Sequence, residues 1–531
     1  MLKISRPVWQ VSLHVLALTC LFSLNYLLDE NMGSENEQDV LPIARQEADP
    51  TWVAGDWYLN QPSGYRLLFN HLVGTLADHW GFLATSIVGR FGCYLLVALG
   101  LVLISRTIGL AWQFSLFAIG LLLYLNPNQG MAAEEWFVGA LESKAVAYGC
   151  VLLAIGLLLA GRYLWMALLL GLATSFHVAV GGWAFLTVSG WFVLHWQQHT
   201  KHWRQRGLAL LIYLATSAFA TIQVLDQVQT VLPASAIAPS FIYVYIRLPH
   251  HLNPQAWSTY WWRPLVVYLL VLLGVLRLLR WQSRRFFQAY EAQVTLAEFA
   301  IIALIPFLLG VAIAPIDQQG KFLQLYPFRL ADVMLPLVTI LLGTCALQQF
   351  LTGRTKQWVT GFCLACLTCA CLLQAVTFQE NLVALRKFPP LEPEFVELCT
   401  WIRHNTPPEA VFVSPPVEMS DFTWLAERST IAKFKHLPQN RLAILEWYER
   451  MTDLSGATNP WESVRPTKNR KGKIARQLTR GYNSLRTRRS MALMQKYGAS
   501  YFVSNSEQRL KLPIVYRNSQ YILYGKQQAS G

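Results

Sequence analysis

Charged residues are scarce in this chain: Asp, Glu, Lys and Arg make up 14% of its 531 residues, against 54% hydrophobic ones. That balance excludes an ordinary water-soluble globular protein, which carries about 25% charge. Cysteine outside the apolar runs is limited to Cys399, so no disulfide framework is encoded. Cys363, Cys366, Cys369 and Cys371 crowd one apolar run, but no His or carboxylate accompanies them there, and neutral Cys behaves as a small apolar residue. Acidic side chains are missing from Ser463 to Ser506, where eleven Lys or Arg residues supply most of the net charge of +14. The chain shows no internal repeat.

Apolar sequence is abundant, in runs of about 15 to 23 residues, most of them long enough as a helix to cross a hydrocarbon layer of about 30 Å. They fall at residues 8–28, 82–104, 107–125, 145–161, 163–180, 182–196, 207–224, 264–281, 296–314, 330–350 and 357–378. This pattern predicts a polytopic α-helical membrane protein with about eleven transmembrane helices. The Gly181-Gly182 pair is expected to separate the fifth and sixth. The first run is too long for a cleaved signal peptide and lacks a small-x-small exit before Asp29, so it is expected to stay as a helix. Thr19 before Cys20 is not the residue that lipoprotein processing prefers, which leaves an ordinary membrane cysteine.

Basic residues alternate between loops. Lys3, Arg6, Arg106, Arg162, Lys201, Arg204, Arg206, Arg277, Arg280, Arg284, Arg285, Arg354 and Lys356 fall on one side, which is expected to be cytoplasmic. The first loop on the opposite side, residues 29–81, sets Asp29, Glu30, Glu35, Glu37, Asp39, Glu47, Asp49 and Asp56 against Arg45 alone before Gln61. An odd number of spans places the N-terminus inside and the C-terminus outside.

Residues 1–384 thus form the membrane domain. From 385 the composition changes: Pro389, Pro390 and Pro393 mark a linker, and amphipathic or alternating patterns follow. Helices are expected over Phe395–His404 and Arg441–Leu454, and strands over Ala410–Val413, Tyr501–Ser504, Ile514–Tyr516 and Tyr521–Tyr524, the last two as a hairpin. Residues 385–531 therefore read as a small soluble α/β domain, extracytoplasmic, with a basic segment at 463–506. That segment offers a cationic surface to anionic lipid headgroups or a lipid-linked phosphate, or it is a solvated face that keeps the domain soluble. Nucleic acid is not an expected partner, since no aromatic-rich binding motif is present and the domain faces outward.

Polar residues at helix ends on the outward side are the candidates for chemistry. Asp29 and Glu30 end the first run and Asp56 follows in the loop; a carboxylate there can take a proton from an attacking sugar hydroxyl. Glu135 and Glu142, seven apart, would share one face of a short helix along the interface, with Lys144 at the start of the fourth run. His177 sits near the outward end of the fifth run, where a packed, hydrogen-bonded histidine is the commoner outcome. Arg247, His250 and His251 lie in a rigid polar loop. Neighbouring histidines rarely point at one ion, so hydrogen-bonding or acid-base roles are expected and no metal site is assigned. Arg329 opens the tenth run with Asp332 one turn deeper; the arginine can hold a phosphate through paired hydrogen bonds, or the two can pair with each other.

The acidic pair Asp29-Glu30, the long amphipathic first outward loop, Pro327-Phe328-Arg329, the many spans and the C-terminal α/β domain together resemble the GT-C superfamily of polyprenyl-phosphate-sugar-dependent glycosyltransferases. Arg247–Pro254, Phe328–Leu335 and Trp401–Pro416 also resemble an uncharacterised bacterial, cyanobacterial-type, membrane-protein family with a C-terminal domain of unknown function, which names no reaction. The superfamily resemblance implies transfer of a sugar from a polyprenyl-phosphate donor to an extracytoplasmic acceptor. In it Asp29 or Glu30 is the base, and Arg329 with Lys144 steadies the lipid-phosphate leaving group. No nucleotide-sugar domain is required; a divalent metal ion is compatible with the resemblance, but no motif in the sequence calls for it and the cofactor stays unassigned. Membrane lipids are the other expected partners. A lipid-linked saccharide flippase and a non-catalytic envelope assembly protein are the alternative classes.

Overall fold

The computed structural model describes residues 8–28, 36–62, 64–199, 203–233, 237–282, 287–351, 353–385, 389, 391–457, 459–461 and 471–526. Asp29 and Glu30 lie outside them. The chain begins with α1 (Val8–Phe22), whose winding continues to Leu27, and α2 (Glu37–Ala48). There follow α3 (Leu67–Thr107), α4 (Trp112–Leu125), α5 (Ser143–Leu159), α6 (Tyr163–Phe176), α7 (Val178–Leu194) and α8 (Trp203–Gln229). Then come α9 (Trp262–Gln282), α10 (Phe287–Ile313), α11 (Arg329–Phe350) and α12 (Gly353–Ala384).

Among the described residues, seven helices are long and apolar enough to cross a membrane, and α4, α5, α6 and α7 are shorter apolar helices. Each expected run overlaps one of these eleven, with ends that differ by up to five residues where a run continues past its helix, as 107–125 does before Trp112 and 163–180 does after Phe176. Burial ranks them. The apolar window of α11 is 89% buried, making it the centre of the bundle, while that of α12 is 6% buried, making it the periphery. The run expected from residue 82 starts where α3 breaks at Gly81, whose φ of +74° suits a residue with no Cβ.

The expected break at Gly181-Gly182 falls instead at His177, which ends α6 and caps α7. Both glycines are helical, and Gly181 packs so closely on α6 that a Cβ would stand 2.1 Å from the Thr174 nitrogen. Absence of a side chain here serves helix contact, not interruption.

After residue 391 the chain forms α13 (Pro393–Asn405), α14 (Arg441–Leu454), α15 (Lys471–Asn483), α16 (Thr487–Lys496) and a five-stranded sheet. The strands are β1 (Val411–Val413), β2 (Ser429–Thr430), β3 (Tyr501–Asn505), β4 (Ile514–Arg517) and β5 (Tyr521–Gly525), in the order β2-β1-β3-β5-β4. β1 runs parallel to β2 and β3, and the β4–β5 hairpin closes the antiparallel edge. Alternation along the strands splits the core into two layers. Phe412, Val503 and Leu523 pack under α13, while Val413, Phe502 and Ile522 pack under α14, α15 and α16.

Ile242 and Ile246 join that second layer from a helical turn of the membrane part, Ile242–Arg247. The sheet is thereby seated on one end of the bundle by shared apolar burial. Helix direction puts Arg106, Arg162, Arg204, Arg280 and Arg354 at the other end.

Candidate functional site

Between the sheet and the bundle end lies a cavity of ≈ 900 Å³, lined among others by Tyr26, Asn36, Glu134, Trp136, Lys144, Arg247, His250, His251 and Lys435. A smaller recess of ≈ 130 Å³ adjoins it and adds Asp39, Arg66, Glu142, His177, Tyr243, Tyr326, Arg329 and Gln439. Seven residues singled out in the sequence, Glu142, Lys144, His177, Arg247, His250, His251 and Arg329, thus meet around one space.

The wall between α4 and α5 is irregular, not the short helix expected to align Glu135 with Glu142. Side chains take over its backbone groups. Gln129 accepts from the amides of Phe137 and Val138 and donates to the Val138 carbonyl. Glu37 accepts from the Leu141 amide at 2.7 Å as well as from Ser86 and Arg90. Asp332, fully buried, accepts from the amides of Ala132, Ala133 and Glu135 at 2.7–3.2 Å. The loop is held from three directions.

Asp332 is therefore not the partner of Arg329, contrary to one expectation. Arg329 instead donates from Nε to Glu135 at 2.8 Å and from Nη1 to His177 Nε2 at 2.9 Å, with its guanidinium 3.8 Å over the Tyr326 ring. Lys144, in the first turn of α5, sits 3.5 Å from the other Glu135 oxygen and 3.8 Å over the Trp136 ring. Glu135 thus orients two cations from behind while their far sides border the recess. Glu142 caps α5 and accepts from Asn36 at 2.5 Å.

Arg247 donates to the Lys435 carbonyl at 2.9 Å and so fastens the C-terminal layer over the cavity. His250 and His251 occupy one helical turn, Pro249–Leu252, with ring centroids 4.1 Å apart. Together with Glu134 they present ligand atoms all within 4.8 Å of one another. His251 Nδ1 lies 2.6 Å from the Ala133 carbonyl, which can only accept, so Nδ1 is the donor of that bond. Glu134 holds a φ of +52°, a strained value for a non-glycine residue and a frequent mark of functional sites. Two imidazoles and a carboxylate suit a transition-metal cation such as zinc or manganese. The two rings come together, tilted at 42° to each other, because both sit on one tight helical turn.

Asp56 plays a different part. It is buried and accepts from the amides of Tyr58 and Leu59 and, across the chain, of Thr430 at 3.0 Å. It ties the first loop to β2 and lines neither cavity. Nearby, Tyr58 donates to Asp39, which lies 3.7 Å from Arg66, and stacks at 4.9 Å on His436. Burial drives His436 down to about 4, so its ring is neutral at pH 7.

Sequence reasoning missed Asn36, Asp39, Arg66, Lys435 and Gln439 as site residues. Arg66 had a signal, as the second arginine in a mainly acidic loop. Lys435 and Gln439 had none, because they reach the site from the C-terminal sheet.

These helices and this boundary cavity define a polytopic integral membrane protein. Residues 393–454 match the model of a domain of unknown function, DUF6798. No curated protein matches the sequence. Among solved structures, ArnT from Cupriavidus metallidurans is similar in two forms. Bound to undecaprenyl phosphate it has a TM-score of 0.49 at 15% identity, and in the apo state 0.49 at 13% identity. Each comparison covers 97% of both chains.

Proposed function

We propose that this chain is a GT-C-type membrane glycosyltransferase that transfers a sugar from a polyprenyl-phosphate donor to an extracytoplasmic acceptor. The carrying observation is the convergence of Lys144, Arg247, Arg329 and the Glu134-His250-His251 cluster on one cavity at the bundle end. A phosphate whose lipid tail stays in the bilayer reaches charge at that depth, and Lys144 and Arg247 suit it as a point charge and a planar donor. A divalent cation held by the cluster would add positive charge beside the departing phosphate.

The acceptor hydroxyl attacks the anomeric carbon, the sugar–phosphate bond breaks with its electron pair going to the phosphate oxygen, and a carboxylate takes the hydroxyl proton. Asp29 or Glu30 is that carboxylate in this reading, the role that the superfamily resemblance implies for the acidic pair after the first span. Residues 385–531 act as a soluble domain that roofs the site. The bundle lies in a bacterial inner membrane with the N-terminus inside and this domain outside.

The test follows sugar release from a polyprenyl-phosphate donor by purified wild-type, Asp29→Asn and Glu30→Gln proteins. Loss in one variant with intact folding supports the assignment; equal turnover by all three removes it. Labelling a cysteine placed at Ser420 in intact cells with a membrane-impermeant maleimide tests the orientation, and protection of that site reverses it.

A further inference from the structure

The large cavity opens on Gly472 and Ala475 at the start of α15. Ile474, Leu478 and Tyr482 bury one side of that helix, and Lys473, Arg476 and Arg480 stand exposed on another, three and four residues apart. Beyond the next turn Arg486, Arg488 and Arg489 are exposed around the N-terminus of α16. A helix N-terminus disfavours cations, so three arginines there carry an electrostatic cost that an anionic partner would offset. Lys496, at the other end of α16, is paired with Glu449 and Asp453 at 2.6 and 2.7 Å. Among the described residues no carboxylate pairs in this way with Lys473, Arg476, Arg480, Arg486, Arg488 or Arg489.

We infer that the acceptor is a polyanionic glycan chain, bearing phosphates or carboxylates, that lies along α15 and enters the cavity beside Gly472 and Ala475; the inference rests on the glycosyltransferase reading. The cations spread over two helices, and α15 alone, at 13 residues, extends about 20 Å, more than one headgroup spans. A membrane-docking helix presents apolar residues among its cations. Here Met491 is the only large apolar side chain exposed on α15 and α16 among the described residues. A soluble polyanion suits such a face better than a bilayer.

Detergent-purified full-length protein would be titrated against end-labelled long-chain inorganic polyphosphate and, separately, undecaprenyl phosphate. The Lys473→Gln/Arg476→Gln/Arg480→Gln variant should bind polyphosphate at least about tenfold more weakly, with its melting temperature and undecaprenyl phosphate affinity unchanged. Arg486→Gln/Arg488→Gln should give a smaller loss in the same direction. Bound polyphosphate should also slow maleimide labelling of an Ala475→Cys protein. Wild-type affinity in the triple variant overturns the inference. So does a loss confined to phosphatidylglycerol vesicles, which would assign the stripe to the membrane, or labelling at position 475 that polyphosphate leaves untouched. Failure of undecaprenyl phosphate alone to bind would sink the donor reading and leave the polyanion track standing.

Discussion

Arg329 Nε stands 2.8 Å from Glu135 Oε2, joining the first turn of the most buried helix to the irregular wall of the cavity across 194 positions of sequence. Both residues are nearly without solvent access. Removing Arg329 leaves the buried Glu135 with Lys144, 3.5 Å away, as its remaining cation, so Arg329→Ala should destabilise the protein by about 1–3 kcal/mol, the cost of a lost charge-assisted hydrogen bond. Thermal unfolding in detergent would read this as a lower melting temperature. An unchanged melting temperature would mean that the wall is held by Asp332 and Gln129 without the pair.

Lys144 faces the recess with Glu135 behind it. Lys144→Ala should weaken undecaprenyl phosphate binding about tenfold to a hundredfold, corresponding to the loss of a charge-assisted hydrogen bond worth about 1.5–3 kcal/mol. Titration calorimetry or native mass spectrometry would measure it. Undiminished affinity would move the phosphate elsewhere in the cavity.

Glu134, His250 and His251 set up a cation test independent of turnover. Dialysis against manganese or zinc followed by elemental analysis should find one ion per wild-type chain and none in His251→Ala or Glu134→Gln. Equal metal content in all three would show that the cluster serves hydrogen bonding only.

Asp56 separates a structural carboxylate from a catalytic one. Asp56→Asn keeps one acceptor oxygen but cannot serve the Tyr58, Leu59 and Thr430 amides alike, at a cost of about 1–3 kcal/mol. The melting temperature should fall while undecaprenyl phosphate affinity stays. The reverse pattern, normal melting with abolished sugar transfer, would restore Asp56 as a base.

Lys433 supplies a pH dependence. It is buried, donates to Ser414 and to the Pro415 carbonyl, and is surrounded by Cys399, Asp56, Glu418 and Asp421. Burial pushes it down to about 7 from an ordinary 10.5. Between these values the unfolded chain binds more protons than the folded one, so stability rises with pH across that window; below about 7 both forms carry the proton and the contribution is flat. Melting temperatures of wild type and Lys433→Met across this range would show it, the slope being shallower in the variant. Parallel curves would assign the slope to other groups.

Much of the bundle was legible because lipid imposes a length on each apolar run, and the run from residue 82 begins at the glycine that breaks α3. The strands expected at Tyr501–Ser504 and Tyr521–Tyr524 were legible as short runs of aromatic and branched apolar residues, and each is found one residue longer. What periodicity does not encode is where an irregular backbone finds its partners. Glu135 and Glu142 have helical spacing, yet Gln129, Glu37 and Asp332 supply bonds that make the extended path preferable. Arg329 and Asp332 have pairing distance along a helix, yet each finds its partner in another loop. Basic residues at helix ends mark candidates for a cavity, but Lys435, 106 residues beyond Arg329, enters only because Ile242 and Ile246 seat the sheet on the bundle.

The route by which the chain reaches its C-terminal sheet is not the route by which that sheet is held. Covalent continuity runs through α12, the most lipid-facing helix, whereas the grip comes from Asp56 on Thr430, Arg247 on Lys435 and the isoleucines of the 242–247 turn. A chain severed after α12 should therefore keep its roof, the two fragments travelling together like a complex of separately encoded subunits.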